Sequence, residues 1–176
     1  MATPTSRSVI DVSTQLQPQP RVQRWPLLVG LPSLRRLDDM TPVEQQQILE
    51  AHTSLPEGCR YPPASEEALA VFESQFGLIP PDYRWYLAAC GGGVIGSEWI
   101  DSIKKLPETH LRVHEGQQNG FYTLREFFPV GWDGGGNPYG FDLQSGKIVT
   151  EDHDFGGIHV VAESFFALLC KKGLLK

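Results

Sequence analysis

The sequence is poor in the features that announce most function classes. It has three cysteines in 176 residues, Cys59, Cys90 and Cys170. An odd number at this spacing makes neither a closed disulfide framework nor a local metal knuckle, and it fits a reducing compartment. Cys90 and Cys170 fall among apolar residues at helical spacing, where a thiol packs as a small hydrophobe. No apolar run reaches the roughly 18 residues that a membrane span needs. The N-terminus has no long apolar stretch of the secretory type, so the expectation is a cytoplasmic protein away from membranes.

Positive charge is scarce as well. The chain carries 15 Lys+Arg against 21 Asp+Glu, for a net charge of -6. The imbalance is uneven: residues 1–37 hold five Arg against Asp11, and residues 38–176 hold ten basic residues against twenty acidic ones. A globular part of that sign repels a phosphate backbone and favours a basic partner, so direct nucleic-acid binding is not expected.

Catalytic signatures are missing too. The chain has no CxxC, no calcium-loop spacing and no phosphate loop ending in Lys-Ser/Thr. Ser97, Ser102, Ser145 and Ser164 lack a nucleophile-elbow setting, and no two carboxylates stand out as an acid–base pair. These readings point to no catalytic residue, no metal and no cofactor.

What is present is material for a core and a clear order of elements. The apolar share is 40%, with four Trp, five Tyr and nine Phe. Residues 1–40 are rich in Pro, Ser, Thr and Gln and read as an extended arm, partly docked through Trp25 and Leu27–Leu31 or free. The remainder, 41–176, reads as one domain. Thr41, Pro42 and Glu44 open a helix with a capping box that runs to about His52. Ser65 caps a second helix, with Leu69, Phe72 and Phe76 on one face and Gly77 as its stop. Pro80-Pro81-Asp82 opens a third, with Tyr83, Tyr86, Leu87 and Cys90 as its stripe.

Strand-like material follows. It is marked by Val94, Ile95, Trp99 and Ile103, then by Phe121, Tyr122 and Leu124, then by Phe127, Phe128 and Val130. Tyr139 to Leu143 alternates at period two, Gln144-Ser145-Gly146 turns, and Lys147 to Thr150 returns. Ile158 to Val161 gives a last short strand. A helix from about Ser164, with Phe165, Leu168 and Leu169 inside, closes the chain. Helices, a meander and a final helix predict an α+β domain: an antiparallel twisted sheet packed against helices on one side.

The stretch from Trp132 to Gly157 holds seven glycines and four aspartates. It is no phosphate cradle, because a strand rather than a helix follows Gly134-Gly135-Gly136. Nor do Asp152, His153 and Asp154 converge on a metal from a regular strand, whose neighbouring side chains point to opposite faces. The glycines read as turns at Gly134, Gly135, Gly136, Gly146 and Gly156, with His153 fastening a loop by a hydrogen bond. From Gly131 through Glu163 there are six acidic residues and one lysine. Trp132, Asp133, Tyr139, Asp142, Glu151, Asp152, Asp154 and Phe155 are therefore the candidate protein-binding residues, aromatic anchors within an acidic rim. A solvated, solubilising edge is the plainer reading of the same residues.

Four pieces in this order resemble the SMI1/KNR4 family of the SUKH superfamily. Leu78-Ile79-Pro80-Pro81-Asp82-Tyr83-Arg84-Trp85-Tyr86-Leu87 followed by Cys90-Gly91-Gly92-Gly93 resembles its helix-to-glycine signature. Gly131 to Leu143 resembles its central glycine-aspartate hairpin. Gly146-Lys147-Ile148-Val149 with Asp152-His153-Asp154, and then Val161 to Leu169, continue the pattern. The resemblance spans roughly residues 60–172. It implies an α+β domain without an established catalytic centre.

Many bacterial members of that family are immunity proteins that bind and neutralise a toxin domain, often a nuclease. Fungal members act as scaffolds or regulators in cell-wall synthesis. The resemblance and the charge together predict a non-catalytic immunity protein with a basic toxin partner, acting as a monomer or a weak homodimer. The alternatives are an interaction scaffold or regulatory module and, further off, a metal-dependent enzyme.

Overall fold

A computed structural model describes residues 40–175. The proline-rich arm expected over residues 1–40 lies outside the described residues, apart from Met40. Five helices and six strands follow in the order α1 (Pro42–Thr53), α2 (Glu66–Phe76), α3 (Pro81–Ala89), β1 (Gly93–Ile95), β2 (Glu98–Ile100), α4 (Leu106–Gln118), β3 (Phe127–Trp132), β4 (Pro138–Asp142), β5 (Ile148–Glu151), β6 (Ile158–Ala162) and α5 (Phe165–Lys171). The strands form one antiparallel meander in chain order, β1 to β6.

Local chemistry accounts for the helix ends. The Thr41 hydroxyl accepts from the Glu44 N–H while the Glu44 carboxylate accepts from the Thr41 N–H, a reciprocal capping box. The Ser65 and Ser164 hydroxyls accept from the N–H groups of Ala68 and Ala167. Each cap satisfies a donor that the first helical turn leaves without a partner, and is worth about 1 kcal/mol.

Most of the core lies between one face of the sheet and helices α1, α2, α3 and α5. Tyr83, Tyr86, Phe128, Phe141, Ile148 and Phe165 meet there. Phe165 is the hub, edge-on to Tyr83 and Tyr86 at 5.6 and 5.4 Å and stacked on Phe141 at 5.8 Å. Offset and edge-to-face pairs of this kind add roughly 0.5–1.5 kcal/mol each beyond burial. The opposite face carries a smaller cluster, Val113, Leu124, Phe127 and Val149, flanked by Trp132. The alternation along β3 explains the split: Phe127 points one way and Phe128 the other.

Helix α4 corrects the sequence reading. No helix was expected between Ile103 and Phe127, and Phe121, Tyr122 and Leu124 were expected as a strand. The segment is instead a helix of 13 residues, and those three residues lie in the connection to β3. Its buried positions, Leu106, Thr109, His110, Val113 and Gln117, recur at helical spacing. The helix serves both clusters, with Leu106 in the larger and Val113 in the smaller. Ile103 likewise falls outside β2.

Candidate functional site

The antiparallel order brings three turns to one end of the sheet: the β1–β2 turn, the β3–β4 turn at 133–137 and the β5–β6 loop at 152–157. Asn137 ties the last two together. Its Oδ1 accepts from the His153 main-chain N–H at 3.0 Å and also contacts His153 Nδ1. The β1–β2 turn lies beside them, because a Cβ placed on Gly134 would stand 3.6 Å from the Ser97 carbonyl oxygen.

Two aspartates shape this end by folding the chain around their own carboxylates. Asp133 Oδ1 accepts from the N–H groups of Gly135 and Asn137, and Oδ2 from the Asn137 amide. Asp152 Oδ1 accepts from the N–H groups of Asp154 and Phe155 at 2.8 and 3.0 Å. Those two bonds, Phe155 first, hold the Asp152 carboxyl below the usual carboxylate range. The loop thereby fixes Phe155 outward, at 91% exposure. Gly136 has φ 83°, a left-handed conformation that the tight β3–β4 turn requires; Gly146 and Gly156 adopt it too, and Gly134 and Gly135 do not.

The other candidates have different places. Tyr139 and Glu151 are buried at 2% and 6%, which removes them from any surface contact. Tyr139 faces the large core and its hydroxyl donates to the Trp99 carbonyl. Glu151 receives the Thr123 hydroxyl and the N–H groups of Thr123 and Leu124, so it anchors the connection after α4. Asp142 lies at the opposite end of the sheet, where it accepts from the N–H groups of Gln144 and Ser145 in the β4–β5 turn. Trp132 is half-buried; its indole N–H donates to Thr109 Oγ1 at 2.9 Å, and the Arg112 guanidinium lies 4.5 Å above its ring.

Thr109 continues a buried chain. Its hydroxyl donates to Asp101 Oδ2 at 2.5 Å, and the Asp101 carbonyl accepts from the Tyr83 hydroxyl at 2.7 Å. Burial pushes the Asp101 carboxyl up to about 6, against the opposing pull of the Thr109 bond. Nearby, His110 sits among Phe72, Phe76 and Phe128, and burial pushes its imidazole down to about 3, so it is neutral. Cys90 is buried at the end of α3 with its thiol pushed up to about 12, the state of a packing residue rather than a nucleophile.

Sequence reading missed Asn137, Thr109, Arg112 and Trp99 as contributors to this region. The spacing of Leu106, His110, Val113 and Gln117 carried the signal for α4. Nothing local announced the tie between Asn137 and His153, which are 16 residues apart. Among the described residues, no group of three or more His, Cys, Asp or Glu is placed to hold a metal ion. No described helix is long and apolar enough to cross a membrane.

This turn end of the sheet carries Asp133, Asp152 and Asp154 together with the exposed Phe155 ring. A comparison with curated proteins gave no match. The family model of the SMI1 / KNR4 family (SUKH-1) matches residues 63–171, which run from before α2 to the end of α5 and make up well over half of the sequence. The chain belongs to the SMI1/KNR4 family (SUKH-1).

Proposed function

We propose that this chain is a non-catalytic immunity protein that binds and neutralises a cognate toxin domain, a basic nuclease, through the acidic turn end of its sheet. Family membership supports an immunity-type role. The observation that carries the reading is the outward exposure of Phe155 on the turn closed by Asp152, at the end of the sheet that also carries Asp154 and Asp133. An exposed aromatic side chain on a hydrogen-bonded turn is a strong anchor for a partner pocket. The acidic rim opposes the basic groove with which a nuclease holds phosphate, and it speeds encounter. Positive groups near this end are already engaged: Lys172 with Glu98 at 2.8 Å, and Arg112 with Trp132.

Purified full-length protein used as bait in its native cells tests the reading. The expected partner is a basic toxin domain, bound one-to-one and lost progressively as salt rises. Recovery of a regulatory or wall-synthesis protein, with no toxin domain, would transfer the same surface to the scaffold reading.

A further inference from the structure

The sheet has two edges, and they are finished differently. At the β1 edge an isolated bridge between Arg60 and Gly93 covers the strand. The β6 edge has no strand beyond it among the described residues. The Asp152 N–H donates to the Gly157 carbonyl, and Thr150 stands opposite His159. In an antiparallel ladder this turns the main-chain groups of Gly157 and His159 toward β5 and those of Ile158 and Val160 outward. The side chains of Ile158 and Val160 share a face and are 50% and 53% exposed. Among the described residues no strand pairs with the outward groups of Ile158 and Val160, whereas Lys171 covers the Val161 carbonyl, so the start of β6 is the part that can template another strand.

The surrounding charge selects the occupant. Asp152 and Asp154 precede β6. Lys171, which donates to the Val161 carbonyl, and Lys147, paired with Glu163 at 2.7 Å, lie by its far end. A second copy laid antiparallel sets the acidic start of each strand beside Lys171 of the other, whose charge no carboxylate among the described residues offsets as Glu163 offsets Lys147, whereas a parallel copy would set acid on acid.

We infer that two copies of this chain pair antiparallel through β6. Ile158 of one copy exchanges main-chain hydrogen bonds with Val160 of the other, and the two His159 residues meet on the two-fold axis. Such an interface is isologous and closes at two copies. It adjoins the turn end that carries Phe155 and does not depend on the toxin reading.

Sedimentation equilibrium of the full chain tests the pairing, together with a His159→Cys variant. Facing residues on such an axis bring their Cα atoms to about 4.5 Å, within disulfide range. The expected results are a mass rising from 19.6 kDa toward twice that value with concentration, and oxidative cross-linking of His159→Cys at least ~10-fold above Val43→Cys on exposed α1 and above the wild type. Val160→Lys should weaken association at least ~10-fold, the equivalent of about 1.4 kcal/mol, with a melting temperature that matches the wild type at concentrations where both are monomeric. A mass fixed at 19.6 kDa up to about 100 µM overturns the pairing. So does a dimer in which His159→Cys cross-links no better than Val43→Cys, or one that survives Val160→Lys.

Discussion

Phe155 and Phe165 are ten residues apart in one short stretch of chain, and their surroundings are opposite. Phe165 is completely buried, against two tyrosines and a phenylalanine; Phe155 is 91% exposed. The residue type is the same, so hydrophobicity alone does not decide exposure. Ser164 caps α5, and Phe165 at its first position packs against Tyr83, Tyr86 and Phe141. Asp152 draws the Asp154 and Phe155 N–H groups onto its carboxylate and turns the next ring out. A polar side chain shapes the backbone before each aromatic, and the packing partners of Phe165, which Phe155 lacks among the ring contacts of the described residues, separate the two. An inward ring serves stability, and an outward ring on a fixed loop is available to a partner.

Truncation should separate the two roles. Phe165→Ala is expected to cost about 3–5 kcal/mol of stability, read as a fall in the urea midpoint, because it empties the centre of the main cluster. Glu151→Ala removes the acceptor from three donors of residues 123 and 124. It should cost roughly 1–3 kcal/mol and speed hydrogen exchange at Thr123 and Leu124. An effect confined to binding would contradict the assignment of Glu151 as an anchor rather than a contact.

A titration sharpens the contrast between buried and exposed carboxylates. The folded Asp101 carboxyl titrates at about 6, above its ordinary value of 3.8. The folded state therefore binds more protons between those values, and this group's contribution to stability falls as pH rises from about 4 to 6. Asp101→Asn should flatten that part of the stability–pH curve, measured by urea unfolding at intervals through the window. Asp152 has the opposite shift, held low by the Phe155 and Asp154 N–H groups. Its contribution is present at neutral pH and is lost only as pH falls below the ordinary carboxylate range.

The smallest stability effect belongs to Phe155→Ala, expected within about 0.5 kcal/mol of wild type. A larger loss would mean that the ring packs against the protein.

Much of the fold was legible because it rests on local chemistry. The caps at Thr41, Ser65 and Ser164, the period-two run from Tyr139 and the turn at Gly146 each lie within a few residues of what they determine. Helix α4 was not read, because Thr109, His110 and Gln117 dilute its apolar stripe and both of its ends lack side-chain caps. The candidate surface was legible only in part. Asp133, Asp152, Asp154 and Phe155 were visible as charge and aromatic character. The burial of Tyr139 and Glu151 depends on partners far away in the sequence, Trp99 for one and Thr123 for the other. Asp142 looks like its neighbours in sequence and lies at the other end of the sheet because strands reverse direction.

The most direct test of the central claim is a binding titration of the toxin domain recovered with the wild-type protein, against wild type and Phe155→Ala, at low and high salt. The account predicts a loss of at least 2 kcal/mol, about 30-fold in Kd, on removing the ring, and weaker binding of the wild type as salt rises. Equal affinity for the two proteins, unmoved by salt, would contradict it and place the contact away from the turn end.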